Sequence, residues 1–257
     1  MKDGSDFCKL CREAKDLADS HIVPEFIYKP LYDEKPRRML SATSTDEGVQ
    51  LGFPQKGIRE QLLCVDCEQY LNRSFEQKSL ATWRTLSGEQ PGSRLKLTEC
   101  TDSQGDQQLI LEGHDYASLK LLLLSILWRA SVSSLQTYGD VRLGPHEESI
   151  RGMILNQNPG EECEYPVILY ILDDEDLRNM PPPSQGRMKG HRVYQFLLAR
   201  VLVITFVTGH LKQESFFNYA LRDSSPLRIP IVKAAELPII KEAVRVWKTI
   251  KPPGELI

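Results

Sequence analysis

Apolar residues are spread unevenly along this chain. The densest run, residues 121–128 (LLLLSILW), lies between Lys120 and Arg129. With Asp115 as N-cap, the pattern predicts a helix to about Ser133, apolar on nearly all sides and therefore central. The run is too short to span a bilayer, so no membrane partner is implied. Pro145, followed by Glu147 and Glu148, predicts a second helix to about Asn156. Residues 165–172 (YPVILYIL) and 201–209 (VLVITFVTG) read as buried strands. Residues 235–250 show helical spacing again. Upstream, 95–100 and 107–111 flank the polar turn TDSQGDQ and read as a hairpin. The Pro- and Gly-rich stretch 180–192 (MPPPSQGRMKGHR) reads as an exposed, mobile loop.

This pattern predicts an α+β protein in three stretches. Residues 1–78 form a small N-terminal module, 79–112 a connector carrying the hairpin, and 113–257 a mixed helical and β domain. Hydrophobic residues make up 41% of the 257 and charged residues 26%, which argues against wholesale disorder. A formal net charge of −3 excludes a protein that grips nucleic acid over its whole surface. Contacts of that kind must come from local patches. The first residues, MKDGSDFCKLC, lack the apolar stretch of a secretion signal, so a cytoplasmic location is expected.

Cysteine spacing adds chemistry to the N-terminal module. Four of the six cysteines form two CxxC pairs, Cys8/Cys11 and Cys64/Cys67, while Cys100 and Cys163 stand alone. In a reducing compartment such pairs are metal ligands more often than disulfides. Two intervening residues let both sulfurs of a pair reach one ion. Four thiolates then close a tetrahedral zinc site with no open position, a structural zinc. Such a site holds a module whose own apolar core is too small to fold unaided.

Between the pairs lies Ser20-His21-Ile22-Val23-Pro24, and the second pair sits in LLCVDCE, residues 62–68. The order CxLC, SHIVP, LLCVDCE resembles the zinc-bearing branch of the HNH nucleases. It is also similar to a group of bacterial HNH-like proteins whose pattern includes S-H-I-I-P-x-F, Q-x-G-x-x-E-x-L-L-C-x-x-C-E and S-I-L-W-R. The last two read here as residues 55–68 and 125–129, so the resemblance extends to about residue 130. It implies a ββα-metal, treble-clef module in which His21 is the general base and Glu68 a ligand of a catalytic Mg2+ or Mn2+. Cys8, Cys11, Cys64 and Cys67 would hold the structural Zn2+. Two positions depart from the family pattern. Ser20 replaces the usual aspartate, a poorer ligand for a hard cation. The middle asparagine has no counterpart, with Glu60 and Gln61 near its place. Glu76 is a further ligand candidate, and Glu25 or Asp19 can contribute only where the loop folds back.

From the residues alone, His21 is open to three roles: a base, a buried structural histidine, or a zinc ligand replacing a cysteine. Glu68 at a helix start has a plain explanation too, since it complements the helix dipole. Lys35, Arg37 and Arg38 follow the SHIVP segment, and Arg187, Lys189 and Arg192 fall in an acid-free stretch. Both groups are candidate phosphate contacts, against a solvated surface as the plain alternative. Two functions therefore compete. One is a metal-dependent endonuclease acting on DNA or RNA, for which a defence or toxin effector is one biological role. The other is a non-catalytic zinc module binding nucleic acid or a protein partner, a second copy of the chain included.

Overall fold

The first strand, β1 (Leu17–His21), pairs antiparallel with β4 (Arg59–Cys64), Leu17 facing Cys64 and His21 facing Arg59. The register shifts between Ala18 and Asp19, leaving Leu62 of β4 without an opposite residue, a bulge on β4. β4 runs without a loop into α2 (Val65–Leu71), so two strands and a helix follow one another in space as ββα. Between the strands come the one-turn helix α1 (Glu25–Tyr28) and a separate hairpin, β2 (Ser41–Thr45) with β3 (Gly48–Gly52). A π-helical turn, Asn72–Glu76, joins α2 to α3 (Gln77–Leu86). The rod thus continues past residue 78. The structure is a computed structural model and describes residues 7–33, 39, 41–45, 48–52, 54–174, 180–207, 215–237 and 241.

The remaining strands make a seven-stranded sheet, given in spatial order: β5 (Lys96–Thr101), β6 (Gln107–Glu112), β11 (Leu227–Val232), β7 (Val167–Leu172), β10 (Val201–Phe206), β9 (His191–Leu198) and β8 (Ser184–Met188). Only the β11–β7 pair is parallel. The chain is therefore mixed α+β, as its patterning predicts. The β5–β6 hairpin lies within one residue of its expected limits and forms one edge of this sheet.

The long helix α4 (Tyr116–Val132) begins where Asp115 predicts. The Asp115 carboxylate accepts from the Ser118 N–H at 2.9 Å, satisfying one of the orphan donors of the first turn. Leu119 through Ser131 are all buried, which explains why apolar residues surround this helix. α5 (His146–Leu155) follows and packs on α4. One hydrophobic core joins residues in and around the ββα unit (Leu10, Ile22, Leu63, Phe75), α4, α5 and one face of the sheet. A second, smaller cluster covers the other face around Leu172, Leu197 and Phe206. No helix among the described residues is long and apolar enough to cross a membrane.

The stretch 180–192 departs from expectation. In place of a mobile loop it forms β8, the two-residue turn Lys189-Gly190, and the start of β9. Both turn residues have positive φ, 50° and 85°, the conformation a tight hairpin turn needs to match strand twist. The segment 235–250 lies largely outside the described residues, apart from the end of a 3-10 turn, Ala234–Glu236, and Leu237 and Lys241.

Candidate functional site

The cysteines occupy one end of the β1–β4 pair. Cys8 and Cys11 come from a tight turn before β1, where the Arg12 N–H donates to the Cys8 carbonyl at 2.8 Å. Cys64 closes β4 and precedes α2, whose first turn carries Cys67. All four sulfurs lie within 4.8 Å of one another, and Cys11 Sγ is 3.9 Å from Cys64 Sγ. All four thiols are free. Sulfurs around one zinc ion at 2.3 Å stand about 3.8 Å apart, far beyond the ~2.05 Å of a disulfide. The donor set and its spacing therefore suit a metal ion such as zinc. Burial alone raises a thiol, yet the backbone N–H groups of Cys64, Cys11 and Leu10 bring Cys8 down to about 7, favouring its thiolate.

His21 sits at the opposite end of the same strand pair. Its Nε2 lies 2.9 Å from Glu25 Oε2, brought back by the one-turn helix that follows Pro24. Glu25 is itself fixed. The Tyr32 hydroxyl donates to Oε1 at 2.9 Å and the Gly57 N–H to Oε2 at 3.2 Å. Position 57 must be glycine, because a Cβ there would lie 2.3 Å from Cε2 of the buried Tyr28 ring. Burial tends to raise Glu25, but these donors and His21 outweigh it and hold the carboxyl below its usual range. His21 is lowered, first by burial and then by the Arg59 guanidinium across the strand pair. The charges of Glu25 and Glu68 oppose that shift. The shift favours the neutral imidazole. With Nε2–H donating to Glu25, its Nδ1 is left as the proton acceptor.

Glu68 stands on α2, close enough for its charge to act on both His21 and Glu76. Its Oε1 is buried and finds no hydrogen-bond partner among the described residues. A buried carboxylate oxygen left unpaired is costly unless a cation or water meets it. The other candidates around His21 have partners. Ser20 is wholly buried, and its Oγ accepts the Leu63 N–H at 3.1 Å, so it faces the core rather than a ligand site. Glu60 receives Ser133 Oγ at 2.5 Å and the Ser134 N–H at 3.0 Å. Glu76 is paired with the Arg129 guanidinium at 3.3 Å. Asp19 meets Arg59 at 3.4 Å and is largely exposed. Among the described residues, the four cysteines alone bring ligand atoms within one coordination sphere, so His21 and Glu68 do not form a closed ligand set.

Compared with protein-family models, with curated proteins and with solved structures, the chain matches none of them.

Of the candidate phosphate contacts, Lys35, Arg37 and Arg38 lie outside the described residues. Arg187, Lys189 and Arg192 share the exposed β8–β9 hairpin at the sheet edge, where Arg187 Nη1 donates to the Gly190 carbonyl at 3.0 Å. That edge is remote in topology from the ββα unit. A cavity of about 590 Å³ lined by Tyr116, Gly160, Glu162 and Asp223 contains none of the candidate residues. Two roles escaped the sequence reading: Glu25, expected only as a cation ligand where the loop folds back, is the partner of His21, and Arg129, expected in no role, meets the His21 carbonyl. Glu25 carries a signal only in its i,i+4 spacing from His21. Arg129 shows itself as a charge inside an apolar helix, which requires buried partners.

Proposed function

We propose that the ββα unit is an HNH-like site for phosphodiester hydrolysis, held in shape by a structural Zn2+ on Cys8, Cys11, Cys64 and Cys67. One observation carries the reading: His21 is oriented by the Glu25 carboxylate within electrostatic reach of Glu68, whose buried oxygen lacks a partner among the described residues. His21 is the base. Glu25 fixes its ring and tautomer, leaving Nδ1 to take a proton from an attacking water. Glu25 thus performs the orienting task that the missing asparagine has in the family. Glu68 would hold a divalent cation, Mg2+ or Mn2+, which would supply positive charge against the oxygens of a phosphodiester. Arg59, across from His21, adds positive charge on the same side.

The test is cleavage of plasmid, linear duplex, single-stranded DNA and RNA in Mg2+ or Mn2+, with wild type and Glu68→Gln at equal zinc content. The reading expects cutting that depends on added cation and falls at least about tenfold in the variant. Cutting indifferent to Glu68 removes it from the site.

A second reading is a zinc module that binds nucleic acid or a protein without cutting. Two observations favour it. Ser20 points inward where the nuclease pattern has a metal ligand. Phe7 and Val65, each next to a cysteine of the cluster, are 58% and 54% exposed, an apolar pair suited to a partner surface. Tight binding of a nucleic acid with no cleavage under any cation condition would support it.

A further inference from the structure

Arg129 is wholly buried in the second half of α4, yet all five of its N–H donors have acceptors. Nη1 donates to the His21 carbonyl at 2.8 Å and to Glu76 Oε1 at 3.3 Å. Nη2 donates to Glu76 Oε1 and to Ser125 Oγ, at 3.3 and 3.2 Å. Nε donates to the Ser125 carbonyl at 3.3 Å. Its acceptors come from three elements: the end of β1, the π-helical turn, and α4 itself. The π turn inserts an extra residue per turn into the rod, which changes the direction in which Glu76 leaves it. One turn further along, where α4 ends, Ser133 and Ser134 hold Glu60 of β4. The last turns of α4 therefore fasten both strands of the ββα pair, β1 at His21 and β4 beside Arg59.

We propose that Arg129 is a positioning residue for His21, so that the candidate site is built jointly by the N-terminal unit and the core helix of the larger region. The proposal rests on the hydrolytic reading for its kinetic consequence but not for its structural one. A lysine can match the charge of Glu76, but its single ammonium cannot reproduce the planar fork that spans Glu76 and the His21 carbonyl. A carbonyl released at residue 21 lets the ring next to it drift, and a displacement of about 1 Å at a reacting group costs about a hundredfold in rate.

The experiment uses the full-length, zinc-loaded chain. Arg129→Lys keeps a cation beside Glu76. The double variant Arg129→Met/Glu76→Leu removes both charges together, which avoids leaving one buried carboxylate unpaired. The two readouts are cleavage kinetics and amide hydrogen exchange across residues 17–22. In folded variants with full zinc content, kcat should fall at least about tenfold with KM unchanged. Exchange at 17–22 should quicken about tenfold, while the cysteine turn stays protected. A folded variant with wild-type kcat overturns the proposal, because a purely structural Arg129 would leave the rate alone. If the wild type cuts no substrate, the hydrolytic reading fails, and exchange at 17–22 alone decides: unchanged exchange overturns the positioning role and faster exchange upholds it. Should the double variant fail to fold, Arg129→Lys decides by the same readouts.

Discussion

The two ends of one strand pair contrast in how they are built. At the Cys64 end, four identical donors converge within 4.8 Å, and main-chain N–H groups back Cys8 and Cys11. At the His21 end, the polar side chains diverge. Ser20 turns to the core, Glu60 to α4, Glu76 to Arg129, and Glu25 to Tyr32 and Gly57. Left without a hydrogen bond among the described residues are Nδ1 of His21, whose Nε2 meets Glu25, and one buried oxygen of Glu68. The first end is closed, as a structural metal site requires; the second is pre-oriented and open, as the proposed hydrolytic site would require. Polar partners around His21 are spent on fixing groups in place rather than on ligation.

The largest test of the contrast acts on the closed end. Binding of zinc to four thiolates contributes about 10–16 kcal/mol where folding and binding are coupled, comparable to the total stability of a domain. Cys67→Ser, or chelation, is expected to unfold more than residues 1–78. The Arg151 guanidinium donates to the Leu10 carbonyl at 2.6 Å, and the Tyr70 hydroxyl to the Ile154 carbonyl at 2.7 Å. These bonds tie α5 to the cysteine unit, and the core is continuous between them. Circular dichroism with metal analysis should show the whole melting transition shift downward. A melting temperature unchanged after zinc loss would break the contrast at its closed end.

The next effects act on the open end. Glu25→Gln keeps one oxygen to accept from Gly57 and His21, with its NH2 turned toward the Tyr32 hydroxyl, but removes the charge that orients His21. It should slow cleavage about ten- to a hundredfold with little change in melting temperature. Because Glu25 opposes the lowering of His21, its loss should move the histidine further down, measurable in an NMR titration of the ring. In the wild type, the folded-state value already lies below the ordinary 6.5. The fold prefers neutral imidazole, so this contribution to stability is full above pH 6.5 and is lost as pH falls through the lowered value. Base catalysis should follow the same course, persisting below pH 6.5. A rate that halves at or above that pH contradicts the assignment.

The smallest effect belongs to the far sheet edge. Alanine at Arg187, Lys189 and Arg192 removes exposed charges that anchor nothing in the ββα unit. Stability should stay within about 0.5 kcal/mol of wild type, and kcat should not change. A fall in kcat would place the hairpin at the reacting phosphate after all.

These differences also explain what could be read from the chain. The cysteine cluster was legible because ligand chemistry imposes a short spacing on neighbours in sequence. α4 was legible because Asp115 caps it and the apolar run fills a core on every side. The β8–β9 hairpin was not, because Lys189-Gly190 is a weak turn signal and β8 (SQGRM) contains no β-branched residue. At the His21 end, each decisive partner arrives from elsewhere. Arg129 lies 108 residues from His21, and Ser133 lies 73 from Glu60. Spacing reports neighbours along the chain, whereas tertiary packing decides which carboxylates are occupied and which is left open.

The most direct test of the central claim is cleavage by wild type and His21→Ala, both folded and carrying equal zinc, on duplex and single-stranded substrates with Mg2+ or Mn2+. The account predicts metal-dependent cutting by the wild type and a loss of about 10²–10⁴-fold in the variant, as expected when a general base is removed. Equal cutting by the two proteins would contradict it, since the open end of the strand pair would then not be where the chemistry occurs.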